Sequence, residues 1–503
     1  MSRFYDPNVI LALAASYDTR GGDGYQTIRD GRDQQKINSM YEPVKNSFSG
    51  RTKLLLTNRP GFGLLSPLSG LTSSDTQYIR SDVGYIAGIS GTSTKTWSAN
   101  STVTVTSGTA VAPIFSSETN LSGVIHSVLQ VRNSLSNFWR AFYTSSDGNT
   151  WTEIGHANYT SGVAWVGKME HLDGFGLQMN TSNQIRNSSV NTLADWGGSD
   201  YVTKSVEQDS ARGLVRHGKI LLAFGADTVE GFYNAGRKNG SPLAPIRQAF
   251  DQIGLAADTD PTLQRSYSAY LGGRTYFLGS RGSRSVLGAN GFTPSLFAFD
   301  GSRFEKVSPP FIDKILTTEG TGEVVSVTNV QAVGVFGKYG IAISLVNPSS
   351  TTQRALFFFP DWNDWFEWTS TAFQFVGSVD TFLGIRLTTT ATRTGAWTVD
   401  NWTDAGTSYT MLHQFKLPKE DNSKLRMDFA GLVGDTALDN ANANVSTSLS
   451  YDGYSTFTYV GAINMAGQDK SLSRLGAFKE AEVKLEYSGS TQIRLEKFVA
   501  RVR

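Results

Sequence analysis

Cysteine is absent, which removes disulfides, thiolate zinc sites and a cysteine nucleophile together and fits a protein made in a reducing cytoplasm. An excess of one charge sign is also missing: 45 Lys and Arg stand against 44 Asp and Glu. No global positive field would draw such a chain onto nucleic acid, so any DNA contact has to be local or steric. Histidine is scarce. His126, His156, His171, His217 and His413 lie at least fifteen residues apart, so no metal-binding pair is local, and surface or packing histidines are expected. Long apolar runs are lacking as well. Residues 9–15 are too short, and too poorly flanked by Asp6 and Pro7, to read as a secretory signal. Runs such as 220–224 and 356–359 have strand length, far below the roughly 20 residues of a membrane helix. A soluble chain with no membrane insertion is expected. A serine-nucleophile elbow, a dinucleotide fingerprint and a calcium-loop spacing are absent too, so no cofactor, catalytic residue or metal ligand is expected.

What the sequence does contain is β-forming. Hydrophobic content of 39% over 503 residues suffices for one very large core or two to three ordinary ones. Short runs rich in Val, Ile, Phe, Tyr, Trp and Thr recur at 53–57, 85–89, 102–106, 124–131, 138–143, 163–166, 219–224, 275–278, 296–299, 341–346, 354–359 and 381–388. Each is closed by Gly, Asn, Asp or Ser, and no amphipathic helix intervenes. Many short antiparallel strands mean a propeller, barrel or sandwich; the length favours a propeller, which adds blades freely. The expected fold is therefore all-β: a β-propeller of antiparallel four-stranded blades, with an N-terminal arm and an additional C-terminal β segment. Polar, turn-rich residues 1–52 form the arm or clamp, 53–400 the propeller with a possible insertion at about 64–120, and 401–503 the C-terminal segment.

Four local patterns bear on chemistry. Ser145, Asp147, Gly148 and Trp151 resemble the turn staple of sialidase-type propellers, with a weaker echo from Ser450 to Gly461; such a staple reports fold and not activity. Gly213-Leu-Val-Arg-His-Gly-Lys219 has phosphate-loop spacing, but Ile220 replaces the magnesium-binding hydroxyl and a strand-like run follows. A hairpin at His217-Gly218 is the expected outcome. Asp361-Trp-Asn-Asp-Trp-Phe-Glu-Trp368 offers carboxylates flanked by tryptophans, as a sugar-cleaving site would; a surface aromatic turn, blade packing or a subunit contact is the plainer reading. Small basic groups (Arg51 with Lys53, Arg281 with Arg284, Arg494 with Lys497) read as solvated faces or as channel lining.

The stretch 171–315 resembles the tail nozzle, or packaged-DNA stabilisation, proteins of short-tailed bacteriophages. The resemblance rests on ordered segments: Asp173-Gly-Phe-Gly176, residues 187–196, residues 214–225 ending in Phe224-Gly225, and Val229-Glu230-Gly-Phe232-Tyr233-Asn234-Ala-Gly236. Ser241-Pro-Leu, Gly254, 266–269, 276–279, 304–308 and 312–316 follow in order. Asn38-Ser-Met-Tyr-Glu-Pro43 with Arg59-Pro-Gly61 looks like the family's opening, and 449–461, 474–476 and 495–499 like its closing β segment. Residues 64–120 and 401–445 depart from the pattern.

The resemblance implies a non-catalytic virion protein, assembled in the host cytoplasm into the tail as a ring of identical subunits, six in number. It implies a portal adaptor above, tail fibre, spike or needle proteins as further partners, and double-stranded DNA in the lumen. A near-neutral chain suits a passage that must release DNA, since every phosphate-neutralising contact adds to retention. The alternative, drawn from the Asp-box-like turn and the Trp-rich acidic stretch, is a carbohydrate-binding or glycan-cleaving propeller.

Overall fold

A computed structural model describes residues 8–12, 36–45, 52–64, 76–80, 85–90, 93–96, 102–104, 110–133, 139–144, 151–160, 163–207, 209–237, 240–256, 267–281, 294–316, 326–335, 338–346, 353–371, 373–374, 385–387, 394–397, 402–404, 406–417, 425–436, 443–452, 455–467, 470–478 and 481–502. Strands dominate, and the helices among the described residues are two short ones, Ala157–Thr160 and Pro310–Leu316. The chain divides into two compact units: residues 1–64, 354–372 and 397–503, and residues 65–353 with 373–396.

From 76 to 306 the second unit is a series of antiparallel sheets, each finished before the next begins. Four-stranded sheets occupy 76–104, 110–153, 165–203 and 211–251, and a five-stranded one occupies 253–306. This is the blade pattern of a β-propeller, and the fold class is all-β of that type. Two-residue hairpins open the blades where the sequence supplies positive φ: Ser122-Gly123, Asp173-Gly174 and Gly272-Gly273 have both residues there, and Gly218 heads the turn before Lys219. Such turns match the right-handed twist of the strands they join.

Successive sheets pack through their first strands: Ala110–Leu121 lies against Trp165–Leu172, which lies against Ala211–His217, and Ser268–Leu271 neighbours both Ala211–His217 and Ser326–Val335. Gly167 and Gly213 approach closely. A Cβ on Gly167 would stand 2.8 Å from the Gly213 Cα, and Gly167 has φ +66, so a side chain is excluded on two grounds. Hydrophobic cores fill the spaces between sheets. One joins Leu121, Val128 and Ala141 to Trp165, Met169 and Trp196; the next joins Leu177, Met179 and Ile185 to Leu214, Leu221 and Phe232. In the first, Tyr159 lies with its ring centroid 5.0 Å from that of Trp165 and 4.9 Å from that of Trp196. The indole N–H groups donate to the Tyr159 and Leu193 carbonyls at 2.9 and 2.8 Å, so neither tryptophan is buried with an unmet donor.

In the first unit the two ends of the chain meet. One sheet runs Ser39–Lys45, Thr52–Asn58, Ile493–Val502, Leu425–Thr436, Ser471–Phe478, with Asn8–Ala12 added along Ile493–Val502. A second contains Asp364–Ser370, Lys36–Ile37, Met411–Lys416, Glu482–Tyr487, Asn444–Ser450 and Thr458–Asn464. Rings face one another across them, Phe415 with Phe498 at 5.2 Å and Tyr41 with Phe366 at 4.9 Å, as in a sandwich.

Asn38 lets the chain step from the second sheet to the first. Its φ is 53°, and its amide binds Thr369 Oγ1, the Thr410 carbonyl, the Thr369 N–H and Arg59 Nε. Arg59 is fully buried, forked onto both Asp404 oxygens at 2.9 and 2.5 Å, with the Tyr409 ring 3.9 Å from its Cζ. The first unit draws residues 1–64 and 354–372 together with 397–503, a grouping that runs across the sequence divisions at 52/53 and 400/401. Hydrophobic alternation identifies a strand but not its partner hundreds of residues away.

Candidate interaction surface

The phrase that carried the family resemblance occupies one blade. Ile220–Gly225 pairs with Val229–Asn234, and the chain turns back through Ala235 and Gly236, the latter at φ +66. Phe224 and Phe232 are buried, Phe224 with its ring 4.8 Å from Phe277 of the next sheet. Gly225 has no room for a side chain, since a Cβ would reach within 2.0 Å of an Asp209 carboxylate oxygen. Glu230 is buried and accepts from the N–H groups of Ser205 and Val206 at 3.2 and 2.9 Å.

Lys204, fully buried, joins this group to its neighbours. It contacts Asp209, donates to Thr228 Oγ1 at 2.6 Å and lies 3.9 Å from Glu230. Burial works to raise the Asp209 carboxyl, but hydrogen bonds from Lys204 and from the Asp227 and Thr228 N–H groups outweigh it and hold the pKa below the usual range. These charges compensate one another inside the sheet, and Glu230 is engaged by the Ser205 and Val206 N–H groups and by Lys204.

Asp364 and Glu367 do not make a sugar-cleaving pair. Asp364 and Glu367 both lie on the strand Asp364–Ser370, three positions apart, so they project from opposite faces. Asp364 accepts from Tyr41 at 2.7 Å and contacts Lys36; Glu367 accepts from Arg354 at 2.6 Å. They cannot flank one glycosidic bond. The turn at Pro360 to Asn363 is present, Asn363 at φ 49°, yet Trp362, Trp365 and Trp368 are buried. That corrects the surface-turn expectation: the aromatics alternate into packed layers on both sides of the strand.

The phosphate-loop spacing resolves as the expected hairpin, with His217 paired to Ile220 and Lys219 exposed on the turn. Of the sialidase-like staple, Ser145, Asp147 and Gly148 lie outside the described residues, and Trp151 begins the strand Trp151–Glu153. In its C-terminal echo, Asp452 accepts from Ser450 Oγ and from Thr456, which holds its carboxyl down to about 2. No group of three or more potential metal ligands occurs among the described residues.

The feature that stands out in the second unit is one end of its blades. Contacts from turn to turn show that the hairpins share that end: Ser122 N–H donates to Asn191 Oδ1 at 3.1 Å, Asn234 Nδ2 donates to Asp173 Oδ2 at 3.0 Å, and His217 Nδ1 meets Thr275 Oγ1 at 3.1 Å. Beside these turns, blade after blade, stands an exposed large apolar residue: Ile125 (53%), Val190 (56%), Tyr233 (45%), Tyr270 (48%) and Tyr339 (58%). Asp173, Asp195, Lys219 and Arg237 are exposed among them. Repeated apolar exposure with a charged fringe is the composition of a protein contact surface. Tyr233 was singled out in the sequence, but not for this. Its neighbours were missed because one exposed apolar residue per blade is unremarkable until register places them together.

No protein-family model matches the chain, and no curated protein sequence matches it. Among solved structures it is similar to a chain of a mitotic checkpoint complex, at 11% identity and TM-score 0.38, covering 67% of this chain and 98% of that one. It is also similar to a glycoside hydrolase, at 12% identity and TM-score 0.25, covering 76% and 96%. A third is the beta-fructofuranosidase from Schwanniomyces occidentalis, at 10% identity and TM-score 0.26, covering 88% and 97%.

Proposed function

We propose that this protein is a structural assembly subunit: a propeller-type chain of the tail-nozzle kind that builds a cyclic homo-oligomer, six-membered by that resemblance, below a portal adaptor. In this reading the ring serves as a conduit for double-stranded DNA and helps retain it before release. The single observation that carries the assembly role is the apolar row Ile125, Val190, Tyr233, Tyr270 and Tyr339 along one end of the blades, a surface suited to another protein. The near-balanced charge fits a lumen that does not arrest DNA.

Light scattering over a concentration series, with negative-stain images of the protein alone and mixed with a portal-adaptor complex, tests the reading. Rings that dock on the complex are expected, and the variant Tyr233→Ser/Tyr270→Ser/Tyr339→Ser should lose docking while remaining folded. Compact monomers under all conditions, with no ring beside the complex, would overturn it. Exposed tyrosines also stack on sugars, which keeps glycan binding as a second reading. Retention on a glycan panel that the triple serine variant abolishes would favour that reading instead.

A further inference from the structure

The strand Asn8–Ala12 stands apart in the described structure. Its five residues pair antiparallel with Lys497 to Arg501 of the strand Ile493–Val502, in the register Asn8 with Arg501, Ile10 with Val499 and Ala12 with Lys497. On the same side of Ile493–Val502, Thr52–Asn58 pairs only at Leu56 with Leu495 and Thr57 with Arg494. The last five paired positions of that strand therefore depend on Asn8–Ala12 to cover their backbone groups. Left uncovered, they form a sheet edge of the sort that captures a strand from another chain.

The connection to the next strand, Lys36–Ile37, is unusually long. Residues 13–35 contain Asp18, Arg20, Asp23, Arg29, Asp30, Arg32 and Asp33, with glycines at 21, 22, 24 and 31. At about 3.3 Å per residue their contour reaches roughly 75 Å, several times the width of a sheet. A neighbour's edge is within reach. Exchange reproduces every ladder hydrogen bond of the closed form, and lengthening a connection raises its closure cost only logarithmically.

We propose that Asn8–Ala12 is an exchanged strand: in the assembled protein it pairs with residues 497–501 of a second copy of this chain and ties consecutive subunits together. The inference rests on the assembly reading above and names the tie between its subunits. An antiparallel five-residue pair adds main-chain hydrogen bonds to a contact that side chains alone would make slowly reversible. Each copy both donates a strand and offers an edge, so a one-way exchange continues from subunit to subunit around a ring, whereas a reciprocal exchange closes as a dimer and gives two-chain species with no longer ladders.

The absence of cysteine makes the test clean. Asn8→Cys and Arg501→Cys are placed on separate chains, coexpressed and oxidised, with Val9→Cys and Ala500→Cys, the next pair along and so of the other ladder type, as a second pair should the first oppose disulfide geometry. Arg501 is exposed, so its replacement leaves the core intact. Two-chain covalent species are expected on a non-reducing gel for at least one pair, and ladders of linked chains when both cysteines are on one chain. Deleting residues 1–12 should lower the mass of the assembly several-fold while unfolding remains cooperative. Internal disulfides alone, at every concentration where light scattering finds an oligomer, would overturn strand exchange and leave the assembly reading standing. A monomer at all concentrations with internal disulfides would remove both.

Discussion

Replacing Lys204 by Met is the sharpest test of how the blades are held. Lys204 has no exposed side-chain surface, and it faces the carboxylates of Asp209 and Glu230, which are themselves almost wholly buried. Methionine fills the space but leaves two carboxylates without their cation and the Thr228 hydroxyl and Glu207 carbonyl without their donor. Breaking a buried pair in this way costs about 3–5 kcal/mol, or a shift in the folding equilibrium between about a hundred- and a few-thousand-fold. With a urea dependence of about 3 kcal/mol per molar, the midpoint should fall by roughly 1–1.7 M.

Tryptophan fluorescence reports it, because Trp165 and Trp196 are buried in the adjoining core. The triple variant Lys204→Met/Asp209→Asn/Glu230→Gln should recover at least half of the loss, since no charge is then stranded. A midpoint for Lys204→Met within error of the parent, or a triple variant no better than the single, would refute the compensation argument. Acid should act on the same group. The folded pKa of Asp209 is depressed, so its contribution is complete above the unfolded value of about 4 and is lost as pH falls through the lower folded one.

Further outcomes follow from other positions. Burial holds His413 neutral, its pKa lowered to about 3, with Lys36 adding to the effect; the unfolded chain therefore takes up a proton first. Stability should fall as pH drops from about 6.5 towards 3, by up to about 1.4 kcal/mol per pH unit, and His413→Phe should flatten that slope in urea melts at pH 7, 6 and 5. Asn38→Ala removes an amide making four hydrogen bonds at a positive φ and should cost about 2–4 kcal/mol, with Asn38→Asp recovering less than half. Gly167→Ala places a Cβ 2.8 Å from the Gly213 backbone and should lower the melting temperature, whereas Gly123→Ala, with nothing within 4 Å, should cost only the strain of its φ, about 1 kcal/mol. Asp364→Asn and Glu367→Gln should change stability and leave glycan binding, if any is measured, unaltered.

How far the sequence discloses this molecule depends on range. Local features are plain in it: short apolar runs became strands within a residue or two at 53–57, 219–224 and 354–359, and Asp173-Gly174 and Gly218 became the turns their φ requires. Blade-by-blade order follows, since each hairpin partner is the next run along. The opposite holds for the first unit. Nothing local says that Thr52–Asn58 pairs with residues 494–495, because alternation marks a face and not a partner. Arg59 looks like an exposed basic residue beside a Pro-Gly turn, and its burial is explained by the distant Asp404, Thr369 and Tyr409 together with Asn38. The carboxylates at 364 and 367 are adjacent in sequence, but strand periodicity separates them. The apolar row could be found from sequence only by taking the residues beside each two-residue turn as a set.

One consequence of the first unit's make-up concerns synthesis. The strand Ile493–Val502 joins Asn8–Ala12, Thr52–Asn58 and Leu425–Thr436, and it leaves the ribosome after all three. The intervening sheets, whose pairings are local, can form while translation proceeds. The first unit waits for Ile493–Val502, so a nascent chain keeps an open seam until that strand has emerged, while copies made side by side on one message are close to one another.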